Sequence, residues 1–132
     1  MAALDTNVLL RFLLQDDPAQ SAAATRLVRR ANVSGESLYV PVSVSLELEW
    51  VLRSRLKLGK AAVVRSFDGL LESVELRFER VGALEWALRQ YEESSADFAD
   101  CLHAALASMA SEQPFWTFDQ AAAKLSGAQL LT

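Results

Sequence analysis

The sequence predicts an α/β fold: three layers, α/β/α, around a mostly parallel central sheet. Two observations lead there. Short β-type runs alternate with amphipathic helical stretches along the whole chain, and parallel neighbours require helical crossovers of that kind. The chain is also 132 residues long and 52% hydrophobic, enough to close one core without disulfide or metal staples.

The elements follow in order. Residues 2–5 (AALD) form a short apolar run that ends at an acid, followed by Thr6-Asn7 and a helix to about Gln15. Pro18 stands in the first turn of a second helix, capped by Asp16 or Asp17. Ser37–Val42 (SLYVPV) reads as a strand, and Ser43 or Ser45 caps the helix through Leu46, Leu48, Val51 and Leu52. After Gly59, KAAVVRSFDGLLESV is helical and softened at Gly69. Val74–Phe78 alternates like a strand. Helices are expected at about 81–93 and 96–111, then a strand at Phe115–Phe118. A short helix over Asp119–Leu125 and a strand at Ala128–Leu131 close the chain.

No linker or repeat divides the sequence, so residues 1–132 are expected to form one domain. A single Cys excludes a disulfide framework and a cysteine zinc site, and a single His excludes a paired-histidine site. The formal charge of −4 argues against a global electrostatic grip on nucleic acid. The apolar opening carries Asp5, Arg11 and Asp16 and lacks a basic leader, which argues against a signal peptide. No stretch reaches the roughly 18 apolar residues of a membrane span. A reduced, cytoplasmic setting is the expectation.

Carboxylates are the chemistry this composition offers. Asp5 and Asp119 each follow a predicted strand, and parallel strands would bring both out at the carboxyl edge of the sheet, where open α/β sheets bind ligands. Each is equally suited to cap a helix. In the helix near 97–111, Phe98, Leu102, Ala105 and Met109 form an apolar stripe, and Asp97 and Asp100 flank it about 60° apart. Asp97 serves as a cap on one reading, which leaves Asp100 as the more informative of the two. In the helix after Ser43, Glu47 projects to the core side, whereas Glu49 faces out and pairs with Arg53. A carboxylate aimed at a core is costly unless paired or coordinating.

Asp5, Glu47, Asp100 and Asp119 would need cations to remain ionised together in one cleft. An all-oxygen site favours Mg²⁺ or Mn²⁺ over Zn²⁺. The matching chemistry is phosphodiester hydrolysis, with an ion lowering the pKa of the attacking water and stabilising the leaving oxygen. His103 projects away from the acids, and Cys101 reads as core. Trp50, Trp86 and Trp116 read as core or interface rather than as stacking surfaces. Arg26, Arg29 and Arg30 read as a solvated helix end, and Arg11 and Arg53 are the better phosphate contacts.

The segments ALDTNVLLRFLLQDDPAQ, VSLELEWVLR, ADFADCLHAALA and TFDQAAAKL, taken in order, resemble the PIN domain, specifically VapC-like toxins of bacterial type II toxin–antitoxin modules. The resemblance runs to about Leu125. It implies a PIN-like fold and a metal-dependent ribonuclease with an acidic Mg²⁺ (or Mn²⁺) site. Its acids fall on Asp5, Glu47, Asp100 and Asp119. Asp5, Asp100 and Asp119 become metal ligands, Glu47 places a second ion or orients water, and Asp97 is an additional acid near the metal. Thr6, Asn7 and Thr117 support the site by hydrogen bonding. The products implied are a 5′-phosphate and a 3′-hydroxyl. The partners implied are RNA, a cognate VapB-like antitoxin and a second copy of the chain. Two alternatives stand beside this reading: a catalytically weak PIN-fold RNA-binding or scaffold protein, and an RNA-processing nuclease outside any toxin–antitoxin pair.

Overall fold

The computed structural model describes residues 2–132 and resolves into two compact units, one ending at Glu79 and the other spanning Arg80–Thr132. The first unit contains β1 (Ala2–Ala3), α1 (Thr6–Leu14), α2 (Pro18–Ser34), β2 (Leu38–Val40), α3 (Val42–Trp50), α4 (Lys60–Leu71) and β3 (Leu76–Phe78). Its sheet has the order β1-β2-β3, and both ladders are parallel. Leu38 and Val40 are buried in β2, as are Leu76 and Phe78 in β3. The alternate residues Tyr39 and Arg77 pair in register, with the Arg77 guanidinium 4.7 Å from the Tyr39 ring centre.

The helices start and stop for local reasons. The Asp17 carboxylate accepts from the Gln20 amide at 3.0 Å, with Pro18 next in the chain, and Gly35 closes α2 in the left-handed conformation at φ 73°. α4 runs straight through Gly69, where a softening is expected. Gly69 lies on the exposed side, and the buried row Val63, Val64, Phe67 and Leu70 holds the helix despite its poor propensity. α3 continues as a π-turn over Val51–Arg55, in which the Leu56 amide reaches the Val51 carbonyl at 3.1 Å.

The second unit contains α5 (Val81–Glu93), α6 (Phe98–Met109), β4 (Phe115–Thr117), a 3₁₀ turn at Ala122–Lys124 and β5 (Ala128–Leu130). β4 and β5 pair in parallel. Tyr91 and Phe98 lock the α5–α6 pair edge to face, with ring centres 5.6 Å apart. Phe98, Leu102 and Ala105 are buried as the stripe predicts, together with Cys101 and Ala104. Met109 is exposed, because α6 ends there and its stripe ends with it.

The α/β class and the parallel pairing are as predicted. The strands are shorter than predicted, and they form hydrogen-bonded sheets of three and two rather than one. Flanking residues leave the ladders for helix starts. Asp5 caps α1, and Pro41, which has no amide proton to give a ladder, begins α3 in place of Ser43 or Ser45.

Candidate active site

The first unit places Asp5 at the junction of β1 and α1. Its backbone is extended, and its carboxylate accepts from the Val8 amide at 2.9 Å, so Asp5 is the N-cap of α1. One oxygen is engaged in this way, and Asp5 itself is solvent-exposed. Thr6, the next residue, is buried, and its hydroxyl donates to Glu47 Oε1 on α3. Asp5, Thr6, Asn7 and Glu47 therefore share one cleft of about 320 Å³, whose remaining lining residues are Trp50, Val51 and Arg55. Three of the predicted supporting and acidic positions of this unit thus meet the fourth, Glu47, across 41 residues of sequence.

Glu47 reaches that cleft from the opposite face of α3 to the one predicted. It is exposed, whereas Glu49 is only 2% exposed. The buried row is Ser45, Leu48, Glu49 and Leu52, a regular 3.6-residue stripe, and Glu47 falls outside it. Glu49 keeps its pairing with Arg53 at 2.7 Å, so the ion pair expected on the surface has its carboxylate inside the core. Of the two arginines expected to contact phosphate, Arg53 pairs with Glu49 at 2.7 Å and Arg11 with Asp16 at 2.9 Å.

Thr6 gives a direct test of this geometry. A Thr6→Val substitution keeps the shape and removes the donor to Glu47. Any activity that depends on Glu47 should fall roughly 10- to 100-fold, the usual cost of losing a supporting hydrogen bond at a catalytic centre. Thr6→Ser should restore most of it.

In the second unit, Asp97 and Asp119 lie within electrostatic reach of Asp100. Asp97 stands at the N-terminus of α6, yet its carboxylate makes no capping hydrogen bond. Asp100 lies one turn on and is partly buried. Burial pushes the Asp100 carboxyl above the usual carboxylate range, and the Asp119 charge raises it further. His103 opposes these effects, and Asp97 adds to the rise. Asp119 follows β4, accepts from the Ala122 amide at 2.8 Å and receives local order from Thr117, whose hydroxyl accepts the Asp119 amide at 3.0 Å. Thr117 therefore orders the backbone at Asp119. His103 departs from expectation: it lies within electrostatic reach of Asp100, one helical turn away. Cys101 is fully buried, as expected.

A family model for the PIN domain matches residues 2–128. The chain belongs to the PIN-domain family. A search of curated proteins finds no match. The match spans nearly the whole chain, and the mixed α/β elements with parallel strands are consistent with the three-layer α/β/α PIN fold. PIN domains are generally metal-dependent nucleases acting on RNA, so this chain carries a nuclease-type fold. No helix among the described residues is long and apolar enough to cross a membrane.

The donors fit the hard divalent ions that PIN nucleases use. Within either unit, no three acidic, His or Cys side chains among the described residues group closely enough to enclose an ion alone. Mg²⁺ does not require such a cage, since it binds through one or two carboxylates, several waters and substrate phosphate oxygens. In this PIN domain burial, and then Asp119 and Asp97, penalise the charged form of Asp100, a penalty that a bound cation would offset.

Two cleft residues escaped the sequence reading. Trp50 is 48% exposed and Trp116 is 52% exposed, so of the core-or-interface expectation the core half fails for both. Arg55 lies beside Trp50, with its guanidinium 5.9 Å from the ring centre. A signal existed in the helix arithmetic: Trp50 lies off the Ser45–Leu48–Glu49–Leu52 row. Locating Arg55 required knowledge of the π-turn.

Proposed function

We propose that the chain is an Mg²⁺-dependent endoribonuclease, Mn²⁺ serving as an alternative ion, and the toxin of a type II toxin–antitoxin module. The observation that carries the nuclease reading is the PIN-domain match over residues 2–128; beside it, the Asp100 carboxyl is pushed up first by burial and then by Asp119. A carboxylate so disfavoured is poised for a cation. The VapC-like motifs around Asp5, Glu47, Asp100 and Asp119 support the toxin assignment.

In this reading Asp5, Asp100 and Asp119 hold the metal, and Asp97 assists. When bound, the ion supplies positive charge to phosphate oxygens and acidifies nearby water. The chain's own residues do the rest. Glu47, steadied by the Thr6 hydroxyl, orients water for attack on phosphorus. Asn7 lines the same cleft, and Thr117 keeps Asp119 in place. Hydrolysis breaks the bond from phosphorus to the 3′-oxygen, leaving a 5′-phosphate and a 3′-hydroxyl.

The same reading treats residues 1–132 as one PIN domain acting in the cytoplasm as a homodimer. A VapB-like antitoxin holds it inactive.

Incubation of the purified chain with total RNA, followed by mapping of the ends, tests the proposal. Discrete cuts bearing 5′-phosphates are expected with Mg²⁺ and should vanish with chelator. Silencing of the cuts by a small antitoxin encoded next to this gene supports the toxin role. RNA left intact in Mg²⁺ or Mn²⁺ refutes the nuclease.

A further inference from the structure

We propose that Trp50 is a stacking platform for an unpaired RNA base and that Arg55 is its companion phosphate contact. The inference rests on the ribonuclease reading and specifies the form of substrate that the cleft accepts.

Trp50 is half exposed, and it lines the same cleft as Asp5, Thr6, Asn7 and Glu47. An indole of that size left open beside acids is a costly use of apolar surface unless something covers it. The cover expected from the surroundings is planar and polar at its edge, since the cleft offers a hydroxyl, an amide and two carboxylates, with Val51 as its aliphatic residue. A nucleobase has both properties. Every base has a π-face, so stacking of this kind accepts many sequences.

The π-turn explains how Arg55 comes to stand there. In a regular α-helix, residues five apart lie about 140° away from one another around the axis. The wider turn over Val51–Arg55 brings position 55 back over position 50, with the guanidinium 5.9 Å from the indole centre. No carboxylate pairs with Arg55 among the described residues, in contrast to Arg53 and Arg11. An unpaired guanidinium beside a stacking ring can take the phosphate next to the stacked base and soften the repulsion that Asp5 and Glu47 exert on the backbone.

The test measures binding of the full chain to two probes without divalent metal, so that neither is cut: oligoadenylate, and an abasic ribose-phosphate oligomer of equal length. The wild-type chain should prefer the base-bearing probe by roughly 5- to 150-fold, the range for one aromatic stack. Trp50→Ala should erase that preference, and Trp50→Phe should keep most of it. Arg55→Ala should weaken both probes and reduce the salt slope by roughly 0.7.

The inference is overturned if Trp50→Ala binds both probes as the wild type does, or if the wild type binds neither or ignores the base. A Trp50→Ala chain that instead changes its oligomeric state while keeping its RNA affinity makes Trp50 a protein contact, which also overturns it. The same samples in Mg²⁺ separate the two readings. Binding without cleavage refutes the nuclease and leaves the stack, whereas cleavage with unaltered Trp50→Ala affinity refutes the stack alone.

Discussion

Asp100→Asn should abolish metal-dependent RNA cleavage while leaving the fold intact. A loss of at least about 100-fold is expected, because even groups that merely support a metal ligand cost 10- to 100-fold when removed. The substitution is nearly isosteric, on a helix whose burial is carried by Phe98, Cys101, Leu102, Ala104 and Ala105. Its effect on stability should run the opposite way to its effect on activity. Asp100 titrates above the ordinary carboxylate range, chiefly through burial and then through Asp119. The folded chain therefore holds this proton more tightly than the unfolded chain does. Stability from this group is complete below the ordinary aspartate range and is lost as pH rises through the raised value.

Asparagine removes that loss. Thermal melts without divalent ions should find the Asp100→Asn chain at least as stable as wild type at neutral pH and less sensitive to pH in the mildly acid range. Added Mg²⁺ should raise the melting temperature of wild type and leave the variant unmoved. A fully active variant, or one that melts well below wild type at neutral pH, contradicts the assignment.

Asp5 should separate chemistry from folding by a different route. Its Oδ1 caps α1 through the Val8 amide, and Asn caps as well as Asp. Asp5→Asn should keep stability within a few tenths of a kcal/mol and lose RNA cleavage. Asp5→Ala should lose the same activity and also about 1 kcal/mol of stability, the usual cost of an N-cap oxygen. Denaturant melts and cleavage assays on the two variants check this. Equal stability in both would mean that the cap is unimportant, and activity in Asp5→Asn would mean that the negative charge at this position is not used. Capping and metal binding are compatible in one carboxylate because the Val8 amide engages a single oxygen.

The distribution of elements was legible because each helix carries its own punctuation. Asp17-Pro18 opens α2 and Gly35 closes it, and α5 matches its predicted span residue for residue. Strand lengths were not legible, since a two- or three-residue ladder has no period to read. The clearest failure was the face of α3. Glu47 is expected on the core side of this helix and Glu49 on the outer side, and the structure reverses the two. The actual row starts at Ser45 and passes through a buried Glu49, which composition disguises because a carboxylate in a core contradicts every hydropathy pattern. Helical projection likewise sets His103 apart from the acids, yet three residues along a helix is close to one turn, and His103 lies within electrostatic reach of Asp100. Asp5 and Asp119 stand out in the sequence because each follows an apolar run, and each accepts a backbone amide three residues on. The Trp50–Arg55 pairing does not stand out, because it depends on a departure from α-helical spacing.

These acids are expected to bind a divalent cation, and the most direct measurement is the free Mn²⁺ signal in electron paramagnetic resonance as protein is added. The wild-type chain should deplete that signal, Mg²⁺ should restore it by competition, and Asp100→Asn and Asp119→Asn should deplete it far less. A wild-type chain that leaves the Mn²⁺ signal at its buffer value, or variants that take up Mn²⁺ as the wild type does, would contradict the account.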